Sequence, residues 1–350
     1  MATSDKGNPV SSEAVRQAAQ EAIDNKTKPP GSLGLIEQLA VQVASIQQTL
    51  KPCVDPARII VFAADHGVTV EGVSAFPAEV TQQMMANFAS GGAAVRVLCK
   101  SAGAQFEAVD VGVDGDLSGL AGVVHAKVAT GTSNLAKEAA MTHEQLDAAL
   151  QVGREAIVRA VKDGIRCVGL GEMGIGNTTS AAVLTGLLCD AESATVTGRG
   201  TGLDNEQLSA KQEIVANAMN RLASINNDPM ECLREAGGLE IAAIVGAMLE
   251  APAHRMTVIV DGFIVTSAAL VACRLKPSAR EMFVFAHQSA EAGHGVALTE
   301  LRAEPLLNLG LRLGEGSATA LALPLIRSAV AVLNDMASFS DAGVSTQHDF

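Results

Sequence analysis

Two glutamates of this chain share one short context, Leu170-Gly171-Glu172 and Leu313-Gly314-Glu315. Glycines on both sides of Glu315 leave its carboxylate room to meet the edge of a ligand. Alone, a glutamate in such a turn reads as a solvated charge. Paired with Glu172 it points to chemistry. Two carboxylates at the mouth of an anion site suit transfer at a sugar C1, where one takes a proton and the other steadies developing positive charge. Ser317, just past the second glycine, is placed to cap the helix that follows.

The anion site itself has two candidate segments. Gly169-Leu170-Gly171-Glu172-Met173-Gly174 has the G-x-G-x-x-G spacing and runs on through Ile175 and Gly176 into Asn177-Thr178-Thr179. A dinucleotide loop wants an acid at the end of the next strand, about 20 residues on, and Asp190 falls before that strand. A glutamate in the turn would repel a pyrophosphate, and no Walker lysine is present. The choice left is a phosphate or phosphoribosyl site at a helix N-terminus, or simply a tight strand–helix turn. The second segment, Thr197-Gly198-Arg199-Gly200-Thr201-Gly202-Leu203-Asp204, is followed two helical turns later by Lys211. It reads as an anion nest or as a flexible loop ending in an Asp204 cap.

Two further groups are weaker. Asp65-His66-Gly67 could hold a metal or a ribose, although a local hydrogen bond between Asp65 and His66 is the plainer expectation. His287, Glu291 and His294 recur at four and three residues. A carboxylate–histidine metal site is one interpretation. A hydrogen-bonded network that orders the loop is the favoured one, since the spacing is not H-E-x-x-H.

These residues need a scaffold. Six near-continuous apolar runs are expected as strands buried on both faces: 58–65, 105–110, 165–170, 194–197, 256–261 and 282–286. Helical stretches separate them, at about 77–101, 134–163, 177–190, 205–225, 237–250 and 264–275. The alternation implies an α/β fold with a parallel sheet between helices. Ligands bind such sheets beyond the C-terminal strand ends, where Asp65, Asp110, Glu172, Asp261 and His287 fall. Residues 112–133 are a Gly/Val-rich excursion without clear periodicity. Residues 11–50 and 316–338 read as helices that could pack together. The expected division is a small helical domain from 1–50 and 316–350, and a large domain, 51–315, carrying the site.

Composition narrows the partners. The 350 residues carry a net charge of −13, with no Trp, no Tyr and nine Phe. An acidic chain poor in stacking side chains is a poor nucleic-acid surface. A flat aromatic ligand would have to lie between aliphatic, Met or Phe side chains. Six scattered cysteines, with no C-x-x-C pair, read as core thiols of a reducing compartment. The first residues show no basic-then-apolar signal pattern, and no uninterrupted apolar run reaches the roughly 18 residues of a membrane helix. A cytoplasmic location follows as the expectation.

Eight stretches in order resemble one family. They are KPPGSLG (28–34), FAADHGV (62–68), GVSAFP (72–77), GEMGIGNTTSAA (171–182), GRGTGLD (198–204), VDGFIVTSAA (260–269), AHQSAEAGH (286–294) and LRLGEGSATALALP (311–324). The chain is similar along almost its whole length to the nicotinate-nucleotide:dimethylbenzimidazole phosphoribosyltransferase family of cobalamin nucleotide-loop assembly. The resemblance implies transfer of phosphoribose from nicotinate mononucleotide to a nitrogen of 5,6-dimethylbenzimidazole, giving α-ribazole 5′-phosphate and nicotinate. The pyridinium departs with a neutral nitrogen and needs no acid. The benzimidazole must lose its N–H and needs one base.

By the same resemblance Glu315 is that base and Glu172 supports it, stabilising oxocarbenium character or holding the ribose or base. The phosphate would lie against Gly174, Gly176, Gly200, Thr201, Gly202, Lys211 and Ser289, with Asp261 near the ribose. The acceptor would lie by Ser74, Phe76, Gln82, Met173 and Leu313. The family implies a Rossmann-like three-layer sandwich with a six-stranded, mainly parallel sheet, a small helical domain from both chain ends, a homodimer, and no metal or organic cofactor. Two competing readings are the same chemistry with another acceptor (adenine, another benzimidazole or a phenol) and a non-catalytic nucleotide sensor, which would not need Glu315. A third, an NAD-dependent oxidoreductase, is disfavoured by the missing ribose acid.

Overall fold

The computed structural model of the protein describes residues 12–200, 202–225 and 228–345. Six strands form one sheet: β1 (Ala57–Ala64), β2 (Gln105–Gly112), β3 (Val123–His125), β4 (Cys167–Met173), β5 (Thr257–Val260) and β6 (Phe283–Phe285). Their order is β3-β2-β1-β4-β5-β6, and every neighbouring pair is parallel. The order reverses between β1 and β4, which opens a crevice at their C-terminal ends.

One expected strand is misplaced. Residues Ser193–Val196 form a single helical turn, and the sixth strand is Val123–His125, inside the segment without periodicity. An edge strand of three residues is too short to show a period, and four residues at 194–197 are too few for β-branched side chains to decide the backbone.

The helices are α1 (Ser12–Asp24), α2 (Leu35–Gln47), α3 (Val80–Ser90), α4 (Ala94–Ala102), α5 (His143–Lys162), α6 (Asn177–Cys189), α7 (Ser193–Val196), α8 (Asn205–Arg221), α9 (Pro229–Ala236), α10 (Leu239–Glu250), α11 (Phe263–Leu275), α12 (Ala292–Glu300), α13 (Ser317–Asp335) and α14 (Phe339–Ala342). The expected helix 77–101 is two, separated at Gly91, which takes φ +85.

Alternate residues of the strands feed two layers. Ile60, Phe62, Val168, Leu170, Val258 and Val260 pack with residues of α5, α6, α10 and α11. On the opposite face, Ile59, Val61 and Ala63 meet Met85, Phe88 and Val95 of α3 and α4. Cys167, Ile259 and Val284 join Leu39 and Val43 of α2 and Ile326 and Leu333 of α13. Burial on both faces is why the strands read as unbroken apolar runs. The terminal helices α1, α2 and α13 therefore pack on one another, and α2 and α13 also lie on the sheet. By length and composition α13 could cross a bilayer, which the run-length reading did not anticipate; its apolar side faces this core.

Candidate active site

The site is assembled at strand ends. β4 delivers Glu172 and Met173, paired across the sheet with Phe62 and Ala63 of β1. β5 ends just before Asp261 and Gly262, and β6 ends just before the loop carrying His287, Ser289 and Glu291. The segment preceding α13 lies over β4 at very short range. A Cβ on Gly171 would be 2.5 Å from the Gly316 nitrogen, and one on Gly169 would be 2.5 Å from Thr319 Oγ1. The first two glycines of the G-x-G-x-x-G run thus admit the start of α13.

Gly314, Glu315 and Gly316 all take left-handed backbone angles, φ +81, +62 and +78. For the one non-glycine this costs about 1–2 kcal/mol, a strain of the kind found at functional positions. Asp261 fixes the geometry. Its Oδ1 accepts from the N–H groups of Ala318 (2.8 Å) and Thr319 (3.2 Å), and its Oδ2 from that of Gly316 (3.1 Å). The capping expected of Ser317 falls to Asp261, and Ser317 Oγ is buried without a hydrogen-bond partner among the described residues. Asp261 is expected near a ribose, but its carboxylate is committed to α13.

The two glutamates line a common cleft of about 390 Å³. Its apolar wall includes Phe76, Val80, Met84, Met173 and Leu313; its polar lining includes Thr178, Gly200, His287, Ser289 and Glu291. Glu172 Oε2 accepts from Asn177 Nδ2 at 2.5 Å. Burial pushes the Glu172 carboxyl up to about 8, with Asp261, Glu240 and Glu315 adding to the rise. Burial also raises Glu315, opposed by the Val95 N–H at the start of α4. Glu315 Oε2 is buried with no hydrogen-bond partner among the described residues. At neutral pH the arrangement offers a protonated Glu172 as donor, next to a second buried carboxyl, Glu315.

Lys211 is 1 % exposed and reaches the site from behind. Its Nζ donates to Thr178 Oγ1 at 2.7 Å and lies against Gly200, where a Cβ would be 3.3 Å away. Burial brings it down to about 8, opposed by Glu291. Glu291 accepts the Gly200 N–H; burial raises its carboxyl, with Lys211 and Arg312 opposing. Arg312 Nη1 donates to the Gly200 carbonyl at 3.4 Å. Asp204 caps α8 through a reciprocal pairing with Gln207.

Of the residues singled out from sequence, Glu172, Met173, Gly174, Gly200, Ser289, Phe76, Leu313 and Glu315 share the cleft lining. Gly176 caps α6 at φ +96. Gly202 lies in an adjoining depression with Arg199 and Glu291. Lys211, Asp261, Ser74 and Gln82 are outside the lining. Ser74 Oγ accepts the Phe76 N–H at 3.1 Å, and Gln82 Nε2 reaches the Asp116 carbonyl at 3.4 Å. Thr201 lies outside the described residues. Asn177 and Thr178, which the sequence places at the end of the first glycine segment without a role, also line the cleft.

His66 and His294 are buried in hydrogen-bond networks, while His287 lines the cleft. His66 does not bond Asp65; it bonds Glu240 and Ser180. His294 Nδ1 accepts the Ser289 N–H at 2.8 Å and its Nε2 meets Thr266 Oγ1 at 2.9 Å, with burial bringing it down to about 3. Among the described residues no group of three or more His, Cys, Asp or Glu is arranged around a metal position.

A sequence model of a phosphoribosyltransferase family matches residues 9–344. The nicotinate-nucleotide–dimethylbenzimidazole phosphoribosyltransferase of Aromatoleum aromaticum is 50 % identical over 327 residues, covering 93 % of this chain and 95 % of its own length. The protein of that name from Dechloromonas aromatica is 50 % identical over 330 residues, covering 94 % and 95 %. The crystal structure of CobT from Thermus thermophilus matches with a TM-score of 0.91 at 44 % identity, covering 95 % of this chain and 99 % of that one.

Proposed function

The chain belongs to the nicotinate-nucleotide–dimethylbenzimidazole phosphoribosyltransferase family, and we propose that in its reaction Glu315 is the base and Glu172 a neutral hydrogen-bond donor to the substrate. The enzyme moves phosphoribose from nicotinate mononucleotide to 5,6-dimethylbenzimidazole, in the lower-ligand branch of cobalamin biosynthesis. The benzimidazole nitrogen lone pair attacks C1 of the ribose, the C–N bond to nicotinate breaks with its electron pair, and the benzimidazole N–H proton passes to Glu315.

The observation that carries the assignment is Glu315 itself: a carboxylate in the cleft wall, one oxygen unpartnered, on a left-handed residue between two glycines. A phosphate dianion would lie by Gly174, Gly176, Gly200, Gly202 and Ser289, with Lys211 behind Thr178 as its buried cation. The apolar ring of the acceptor would lie against Phe76, Met84, Met173 and Leu313. Glu315→Gln tests this. Turnover falls roughly 10²- to 10⁴-fold, while calorimetry shows nicotinate mononucleotide binding as in the parent. Full turnover in that variant would remove Glu315 as the base.

A homodimer belongs to the same proposal, supported by Phe76 and Leu313, which are 52 % and 56 % exposed beside the cleft; sedimentation decides it. A cytoplasmic location is supported by six unpaired thiols.

A further inference from the structure

Behind the turn that follows Glu172, three buried side chains from separate elements form a chain of hydrogen bonds with no place in the reaction so far. His66 follows β1, Ser180 sits in the first turn of α6, and Glu240 opens α10; they are 2 %, 0 % and 0 % exposed. His66 Nδ1 is 3.1 Å from Ser180 Oγ, and His66 Nε2 is 2.6 Å from Glu240 Oε1. Ser180 Oγ donates to the Gly237 carbonyl at 3.2 Å.

The protons can be counted. A hydroxyl has one proton, and Ser180 gives it to a carbonyl that can only accept. Ser180 Oγ must therefore accept from His66, which places a proton on Nδ1. The short contact between Nε2 and Oε1 then needs one more proton between them, since two bare lone pairs would repel. Whichever atom it rests on, as imidazolium–carboxylate or as imidazole–carboxylic acid, the pair is neutral as a unit.

The pair abuts the active-site turn. A Cβ on Gly174 would be 3.0 Å from Glu240 Oε1 and 3.2 Å from His66 Cδ2. Gly174 is two residues beyond Glu172. The charged groups facing this region are Asp65 beside His66 and Glu240, and Asp261, Glu240 and Glu315 around Glu172. His66 is the cation among these groups and lowers Asp65, so the proton on the pair decides how far the negative charge of Glu240 bears on Glu172.

We propose that His66 is a positioning residue for Glu172: it keeps a proton on the buried His66–Glu240 pair and so holds that pair neutral beneath the Glu172–Gly174 turn. The inference rests on Glu172 acting as a neutral donor. Without His66, no proton on Nε2 offsets the carboxylate of Glu240. Its full negative charge then bears on Glu172, which holds its proton more tightly.

The test is kcat against pH at saturating substrates for five forms, each checked for its thermal transition. In the parent, kcat falls on the alkaline side as Glu172 loses its proton. In His66→Gln that fall moves to higher pH by about half to one unit. Glu240→Gln keeps the hydrogen bonds and the neutral charge, so its fall stays where the parent's is. The His66→Gln/Glu240→Gln double variant returns to the parental position. A His66→Gln profile that superimposes on the parent's overturns the inference. So does a Glu240→Gln profile displaced downward, which would mean the pair carries a net charge; this arm decides alone if His66→Gln does not fold. If Glu172→Gln leaves the alkaline fall in place, it is the assignment of Glu172 that fails, independently of His66.

Discussion

The carboxylate of Glu172 stands where a side chain on residue 314 would have to be: a Cβ built on Gly314 would lie 2.2 Å from Glu172 Oε1. The end of β4 and the loop before α13 are thus interlocked at contact distance, and each glutamate is placed partly by the backbone that carries the other. Gly314→Ala adds a methyl at that contact and a left-handed alanine at φ +81. The backbone cost is about 1–2 kcal/mol. Displacing Glu172 lowers kcat roughly 10²-fold. Thermal unfolding and steady-state kinetics measure the two effects separately.

Glu172 also gives the enzyme a pH signature. Its carboxyl, raised by burial to about 8 from 4.5, holds its proton at neutral pH and releases it above. At saturating substrate, kcat therefore falls as pH rises through about 8, and Glu172→Gln, a permanent donor, abolishes the fall. The stability sign follows from the same shift. Between pH 4.5 and about 8 the folded chain keeps a proton that the unfolded chain has released, so stability drops with rising pH. Melting temperatures across that window show the drop in the parent and a shallower slope in Glu172→Gln.

Lys211 should act on binding. Its Nζ is the buried cation behind Thr178 and Gly200. Lys211→Met removes a charge-assisted contact of about 1.5–3 kcal/mol, which is roughly 10- to 100-fold in the dissociation constant for nicotinate mononucleotide. Binding of dimethylbenzimidazole is little changed. Calorimetry with each substrate separately checks the order, and a larger loss for the benzimidazole would overturn the phosphate assignment.

Asp261 should act on geometry. Three N–H groups at the start of α13 depend on its two oxygens. Asparagine has one acceptor oxygen, so Asp261→Asn leaves the Gly316 N–H facing an amide donor. The expected cost is about 1–3 kcal/mol of stability. We expect kcat to fall by about tenfold or more as Glu315 loses its aim, with KM for the mononucleotide nearly unchanged. A kinetic comparison that found KM changed and kcat intact would return Asp261 to the ribose.

Much of this was legible in the chain because the relevant signals are local. Unbroken apolar runs marked five of the strands, and the repeated Leu-Gly-Glu context picked out Glu172 and Glu315 before any geometry. What escaped has partners far apart in sequence. Asp261 caps a helix 55 residues or more away, and His66 meets Glu240 across 174 residues. No local pattern distinguishes those carboxylates from strand-end ligands. Gly169 and Gly171 escaped for a related reason: their spacing imitates a nucleotide loop, while their need comes from Gly316 and Thr319 pressing on β4. β3 escaped by its length of three residues.

The docking of α13 on β4 also sets an order in biosynthesis. A ribosome delivers the chain from its N-terminus, so all six strands are made by residue 285, thirty residues ahead of the base. A nascent chain can pair its whole sheet and still be chemically inert. Until α13 arrives, Cys167, Ile259 and Val284 lack the helix that helps cover them, and Asp261 has no helix to hold. The last long helix to leave the ribosome closes the core and arms the site in the same step, so a chain cut short before it should call on chaperones rather than work at reduced rate.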